Sequence, residues 1–197
     1  MQRAVFLDRD GVINAVVWNA QEQATDSPYR LEDFQLLPSV PEAVRRIREL
    51  GFLAVVVSNQ PGVAKGKCSF QLLDDLTHKM QAELAAYGAE LDAVYYCCHH
   101  PDASLAELRV DCACRKPKPG LIQYASQDLL IDPSQSYMIG DQERDVEAGL
   151  AAGCVSIRVQ GYQNQLTKAN LTAVDLPQAV SLIATRSGVV RPSPFLL

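Results

Sequence analysis

The sequence predicts an α/β fold, a Rossmann-like doubly wound parallel sheet. Three observations carry that reading. Short apolar, β-prone runs alternate with longer segments of helical period. The runs end in polar or glycine turns, several of them bearing carboxylates. The alternation persists to about residue 160, which implies parallel strands joined by right-handed crossovers. A chain of 197 residues, 48% hydrophobic and 21% charged, can bury one substantial core, so a single domain over 1–197 is expected.

The first strand is the apolar run Ala4 to Leu7, closed by Asp8-Arg9-Asp10-Gly11. In an open parallel sheet ligands collect beyond the carboxyl ends of the strands, which puts Asp8 and Asp10 at a candidate site. Residues 14–35 carry no helical or strand period and contain Ser27-Pro28, so they read as a loop or small flap near Asp8. Trp18 lies in it, with partial burial against the body expected. Ser39-Val40-Pro41-Glu42 predicts a capping box with Ser39 as N-cap, followed by a helix ending at Gly51.

Phe52 to Val57 reads as a strand buried on both faces, ending in Ser58-Asn59-Gln60-Pro61-Gly62. A long helix follows Ser69, with Leu73, Leu76, Met80, Leu84 and Tyr87 on one side and Gly88 as its stop. Ala93 to Tyr96 is a third strand. Pro119 opens a helix carrying Leu121, Ile122, Tyr124, Ala125 and Leu129. Tyr137 to Ile139 is a fourth strand ending in Gly140-Asp141, Glu143 to Ala152 a helix, and Cys154 to Val159 a fifth strand. Beyond Gly161 the pattern weakens, leaving a last helix around Leu176 to Thr185 and a tail over about 187–197.

The formal net charge is −5 and no Lys/Arg-rich block occurs, which argues against nucleic acid or an acidic membrane surface as partner. No apolar run approaches the ~18 residues that suggest a membrane span. The N-terminus shows no basic region followed by an apolar core. A cytoplasmic monomer is expected. Of six cysteines, Cys97, Cys98, Cys112 and Cys114 crowd into one segment with His99 and His100, while Cys68 and Cys154 read as ordinary buried residues. Without a secretion signal that cluster favours a metal over disulfides. Cys97 with His99 and Cys98 with His100 have the same spacing.

Four strand-end loops offer Asp8 and Asp10, Ser58 and Asn59, Arg115 and Lys116, and Asp141 with Asp145. Together they supply what phosphoryl transfer needs: a carboxylate to attack, a second to move the proton, a hydroxyl and an ammonium for the phosphoryl oxygens, and an acidic pair for magnesium. Over residues 4–160 the set Asp8-Arg9-Asp10-Gly11, Ser58, Lys116 and Gly140-Asp141 with Asp145 resembles the four motifs of haloacid-dehalogenase (HAD) phosphatases. That resemblance implies an aspartyl-phosphate on Asp8 and acid/base work by Asp10. It also implies magnesium held by the Asp8 side chain, the Asp10 carbonyl and Asp141, with Asp145 behind, and Ser58 and Lys116 around the phosphoryl group.

Cys97-Cys98-His99 and Cys112-Ala113-Cys114 resemble the zinc loop of heptose-bisphosphate phosphatases in the histidinol-phosphatase subgroup. By that match Cys97, His99, Cys112 and Cys114 hold a structural zinc, which stiffens the loop 97–114 leading to Arg115 and Lys116. The spacings leave no room for a large cap domain, so an open site is expected. Four departures concern the substrate, and one of them is a poor match over residues 15–30. Gln142 stands where that family usually has Lys, Ser58 where Thr is common, and Cys98 where Pro is common. Gln142 and Arg115 are then candidate contacts to the substrate. The implied activity is a magnesium-dependent sugar-phosphate phosphatase, with heptose 1,7-bisphosphate first and histidinol phosphate second. A zinc-stabilised binding module with a vestigial phosphatase core is the reading from another class.

Overall fold

The computed structural model describes residues 1–159 and 166–188. Six strands form one sheet: β1 (Ala4–Leu7), β4 (Leu53–Asn59), β5 (Ala93–Cys97), β6 (Tyr137–Gly140), β7 (Val155–Val159) and β8 (Leu171–Ala173). Their order is β5-β4-β1-β6-β7-β8 and every pairing is parallel. The helices are α1 (Val40–Glu49), α2 (Phe70–Ala85), α3 (Gly120–Asp128), α4 (Glu143–Ala152) and α5 (Leu176–Arg186).

The two-residue period of the strands sorts the core into two layers. Val5, Leu7 and Val56 point to the side of α1, α2 and α5, where Val44, Ile47, Met80, Leu84 and Ile183 meet them. Ala4, Phe6, Val55 and Val57 point to the other side and meet Leu121, Ile122 and Ala125 of α3 and Ala148 of α4. β1 lies between β4 and β6, and the chain leaves it in one direction and returns on the other. Asp8 therefore emerges at a topological switch point of the sheet.

Several expectations need correction. Ser39 is not a capping residue: its φ of +58° is left-handed and its side chain makes no cap bond. The helix starts through a turn in which the Val40 N–H reaches Leu37 O, with proline inside the first turn. Ser69 does cap α2, its Oγ accepting the Leu72 N–H at 3.1 Å. Tyr87 lies past the end of α2, and Tyr124 sits on the outer face of α3; they are 65% and 53% exposed, so neither is core. The flap contains a hairpin, β2 (Val17–Asn19) with β3 (Ala24–Asp26), antiparallel with Trp18 opposite Thr25. Trp18 is 63% exposed rather than packed on the body. β8 is a three-residue edge strand that the sequence reading lacked. Cys154 is buried, whereas Cys68 is half-buried. The tail lies, beyond Gly188, outside the described residues.

Candidate active site

All four residues of β1 are buried, and Asp8 is tied to β6 by its N–H on Ile139 O. The three donors that reach its carboxylate all fall on Oδ1: the Arg9 N–H at 2.8 Å, the Ser58 hydroxyl at 2.6 Å and the Lys116 ammonium at 3.0 Å. Oδ2 has no hydrogen-bond partner among the described residues. Burial raises the Asp8 pKa, against the pull of Lys116 and Ser58.

Gly140 and Gly11 allow the carboxylates to converge. A Cβ on Gly140 would stand 2.1 Å from Asp145 Cβ, so only glycine lets α4 close onto the end of β6. Gly11, at φ +82°, passes so near Asp141 that a Cβ would meet Oδ2 at 2.7 Å. Oxygens of Asp8, Asp141 and Asp145 consequently lie within 4.8 Å of one another. Burial and the nearby Asp8 push Asp141 up to about 6. Its Oδ1 is buried with no hydrogen-bond partner. An orphaned carboxylate oxygen in a crowd of acids fits a hard divalent cation.

Lys116 is the buried counter-charge. Its ammonium is ion-paired with Asp145 at 2.7 Å and with Asp8 at 3.0 Å, and it donates a hydrogen bond to Val57 O at 2.9 Å. Burial opposes its charge, but Asp145 and Asp8 outweigh that and raise its pKa. Asn59 holds the Lys116 backbone on both sides. Its Nδ2 donates to Lys116 O and its Oδ1 accepts the Lys116 N–H, each at 3.0 Å. The Asn59 side chain is thus spent on position. Gln142 is turned toward the acids, donating from Nε2 to Asp141 Oδ2 at 2.8 Å, while its N–H is bonded to Asp145 Oδ2 at 2.9 Å. Arg115 donates to His99 O at 3.2 Å.

Asp10 sits in a ring of donors that the sequence reading missed. Arg9 grips it with Nε at 3.0 Å and Nη2 at 3.1 Å, Asn14 reaches Oδ1 at 2.9 Å, and Gln60 and Ser27 reach Oδ2 at 2.8 Å each. Burial opposes the carboxylate, yet Arg9 and these bonds hold its pKa below the ordinary value. One signal was available: Gln60, two residues after Ser58, projects on the same side of the chain. Nothing in the sequence marked Ser27 or Asn14.

The thiols and the imidazole also converge. The sulfurs of Cys97, Cys112 and Cys114 are 3.2 to 3.5 Å apart, and His99 Nδ1 lies 3.5 Å from Cys114 and 3.9 Å from Cys97. Thiolates around a tetrahedral zinc at about 2.3 Å would stand about 3.8 Å apart, so the four residues fit that ion. Cys98 and His100 are not in the cluster, and His100 Nδ1 instead accepts the Asp102 N–H at 3.1 Å.

A polar cleft of about 340 Å³ opens over Asp8, Asp10, Ser58 and Asp141, with Arg115 and the hairpin's Ser27 in its walls. A second cleft of about 510 Å³ lies beyond Asp141 and Gln142, lined largely by apolar residues such as Val12, Leu37, Val159 and Leu176. Its Arg158 donates to Asp141 O and to Glu143. The first cleft, with carboxylates, a hydroxyl and cations together, has the chemistry for a phosphate ester.

The chain is similar to known proteins over most of its length. A HAD-hydrolase-like family model matches residues 113–179. The D-glycero-beta-D-manno-heptose-1,7-bisphosphate 7-phosphatase of Yersinia pestis is 42% identical over 149 residues, which cover 76% of this chain and 75% of that protein. The Haemophilus ducreyi enzyme of the same name is 42% identical over 155 residues, 77% and 79% of the two chains. Among solved structures, the D,D-heptose 1,7-bisphosphate phosphatase of B. bronchiseptica, complexed with magnesium and phosphate, superposes with a TM-score of 0.78. It is 28% identical, and the match covers 94% of this chain and 99% of that one.

Proposed function

We propose a reaction for this chain from a fixed premise: it belongs to the family of the D-glycero-beta-D-manno-heptose-1,7-bisphosphate 7-phosphatases, HAD-type phosphoric monoester hydrolases. The substrate is a small sugar bisphosphate, heptose 1,7-bisphosphate, and the bond cleaved is the ester to the C7 phosphate. The observation that carries the reading is the convergence of Asp8, Asp141 and Asp145 around one point, with Lys116 bridging Asp8 and Asp145.

Asp8 is the nucleophile. Its Oδ1 is fixed by Arg9, Ser58 and Lys116, which leaves Oδ2 to attack phosphorus in line. The ester P–O bond breaks, the phosphoryl group passes to Asp8, and the sugar oxygen takes a proton from Asp10, which must enter this step in its acid form although its donors favour the carboxylate in the free protein. Water then attacks that group while Asp10 takes back a proton. Inorganic phosphate leaves and the Asp8 carboxylate is restored. Ser58 and Lys116 lie against the nucleophile, where a hydroxyl and a positive charge stabilise the negative charge of the transferring group. Magnesium would be held by Asp8, the Asp10 carbonyl and Asp141, with Asp145 behind, and would supply charge neutralisation among these acids and the phosphoryl oxygens.

Zinc would be held by Cys97, His99, Cys112 and Cys114. Four protein ligands leave no open position, so its work is structural. A small phosphorylated metabolite is the partner this site requires. No helix among the described residues is long and apolar enough to cross a membrane. A cytoplasmic monomer suits the reading, since a reducing compartment keeps the thiols available.

The test is a panel of phosphate monoesters assayed with magnesium. Heptose 1,7-bisphosphate should lead in kcat/KM by about tenfold or more over other sugar phosphates and histidinol phosphate. Equal, feeble rates on all sugar bisphosphates would overturn the substrate, and a lead for histidinol phosphate would replace it.

A further inference from the structure

The walls of the catalytic cleft carry positive charges that the protein itself does not neutralise. Lys65, from the loop after β4, Arg115, from the loop after β5, and Arg144, from α4, all line it. None of the three has a carboxylate partner among the described residues. Acids are not scarce at this mouth: Lys67, in the same lining, is paired with both Glu22 and Asp26. Lys116, at the floor, is paired with Asp8 and Asp145.

These three cations face one shared cleft, so like charges are gathered on its walls. Arg144 has a second oddity. It is the second residue of α4, in the first helical turn, where the helix dipole disfavours a cation. Neither pairing nor helix stability accounts for it. In a chain of net charge −5, a local surplus of repelling cations beside a phosphoryl-transfer site fits an anion that arrives with the substrate.

The transferred phosphoryl group goes to Asp8 at the floor, so it is not the anion these wall residues await. Gln142 cannot serve it with charge, and its amide is turned to Asp141. Building on the phosphatase reading above, we propose that Arg144, together with Lys65 and Arg115, grips the phosphate of a sugar bisphosphate that is not transferred. Arg144 is then a specificity-determining residue of this chain. It supplies from the first turn of α4 the positive charge that Gln142 lacks.

The experiment compares heptose 1,7-bisphosphate with heptose 7-phosphate, with magnesium present, in wild type, Arg144→Gln, Arg144→Glu and Arg144→Lys. The readout is the ratio of their kcat/KM values. Arg144→Gln should lower that ratio about tenfold, through KM rather than kcat, as expected for loss of a charge-assisted bond. Arg144→Glu should lower it further, and Arg144→Lys should restore most of it. A ratio that stays the same in Arg144→Gln and Arg144→Glu overturns the inference, whatever the absolute rates. So does a wild type that turns over both compounds equally well, although the phosphatase reading then stands. A wild type that turns over neither removes both.

Discussion

Two groups of metal-capable side chains flank the Arg115-Lys116 dipeptide, and they are built on opposite plans. The carboxylates come from ends of regular structure: Asp8 after β1, Asp141 after β6, Asp145 in α4. The sheet and its two buried layers bring them together, against their own repulsion. In the thiol group only Cys97 stands on a strand. Cys112, Cys114 and His99 belong to a long loop whose only regular element is one turn at Ala106–Leu108. There a bound zinc would have to organise the chain. One group is positioned by the fold; on the zinc reading, the other positions part of it. The first should tolerate loss of its ion or of a ligand in stability but not in activity; the second should lose stability first.

Asp8→Asn gives the strongest test. Turnover should fall on the order of 10³-fold or more, as for loss of a nucleophile. The melting temperature should hold or rise, because one repelling carboxylate is gone. A variant that keeps full turnover would remove Asp8 from the chemistry, and one that unfolds would make the carboxylate group structural as well.

Zinc withdrawal, or Cys114→Ser, reads the other side. The purified protein should hold about one zinc per chain, and its loss should lower the melting temperature by about 5 °C or more, with activity falling in parallel. Magnesium withdrawal should stop turnover reversibly and leave the melting temperature nearly in place. If confirmed zinc removal leaves the melting curve unchanged, the loop is ordered by its own packing and the contrast collapses.

The smallest effect should come from Asn59→Ala, which cuts the clip between the two groups. Two hydrogen bonds to the Lys116 backbone disappear, at a cost of about 1–3 kcal/mol in stability. A drop in kcat/KM of about tenfold is expected from a displaced ammonium. Stability loss without any kinetic effect would mean that the contacts to Asp8 and Asp145 alone place Lys116.

The sheet and most of the carboxylate group were legible in the sequence for one reason: buried parallel strands write apolar runs, and the carboxylates stand at their ends. α4 has the bounds expected from its sequence, Glu143 to Ala152. The rest was hidden by shortness and distance. Strands β2, β3 and β8 have three residues each, too few for a period to emerge, and no residue of β2 or β3 is buried. Ser39 has the residue type of a cap and a backbone that forbids the role. The donors around Asp10 come from Asn14, Ser27 and Gln60, and that ring exists only after folding. Equal spacing left two pairings of cysteine with histidine open, and the direction of the loop places Cys97 with His99 rather than Cys98 with His100.

The hairpin is tied to the body through one lysine. Lys67 pairs with Glu22 in the turn and with Asp26 at the end of β3, Asp26 also accepts from the Tyr29 hydroxyl, and Ser27 reaches Asp10. Trp18 is left facing solvent. On the phosphatase reading, cutting that lysine would free the ribbon's outer turn and, by way of Asp26 and its neighbour Ser27, slacken the grip on the acid.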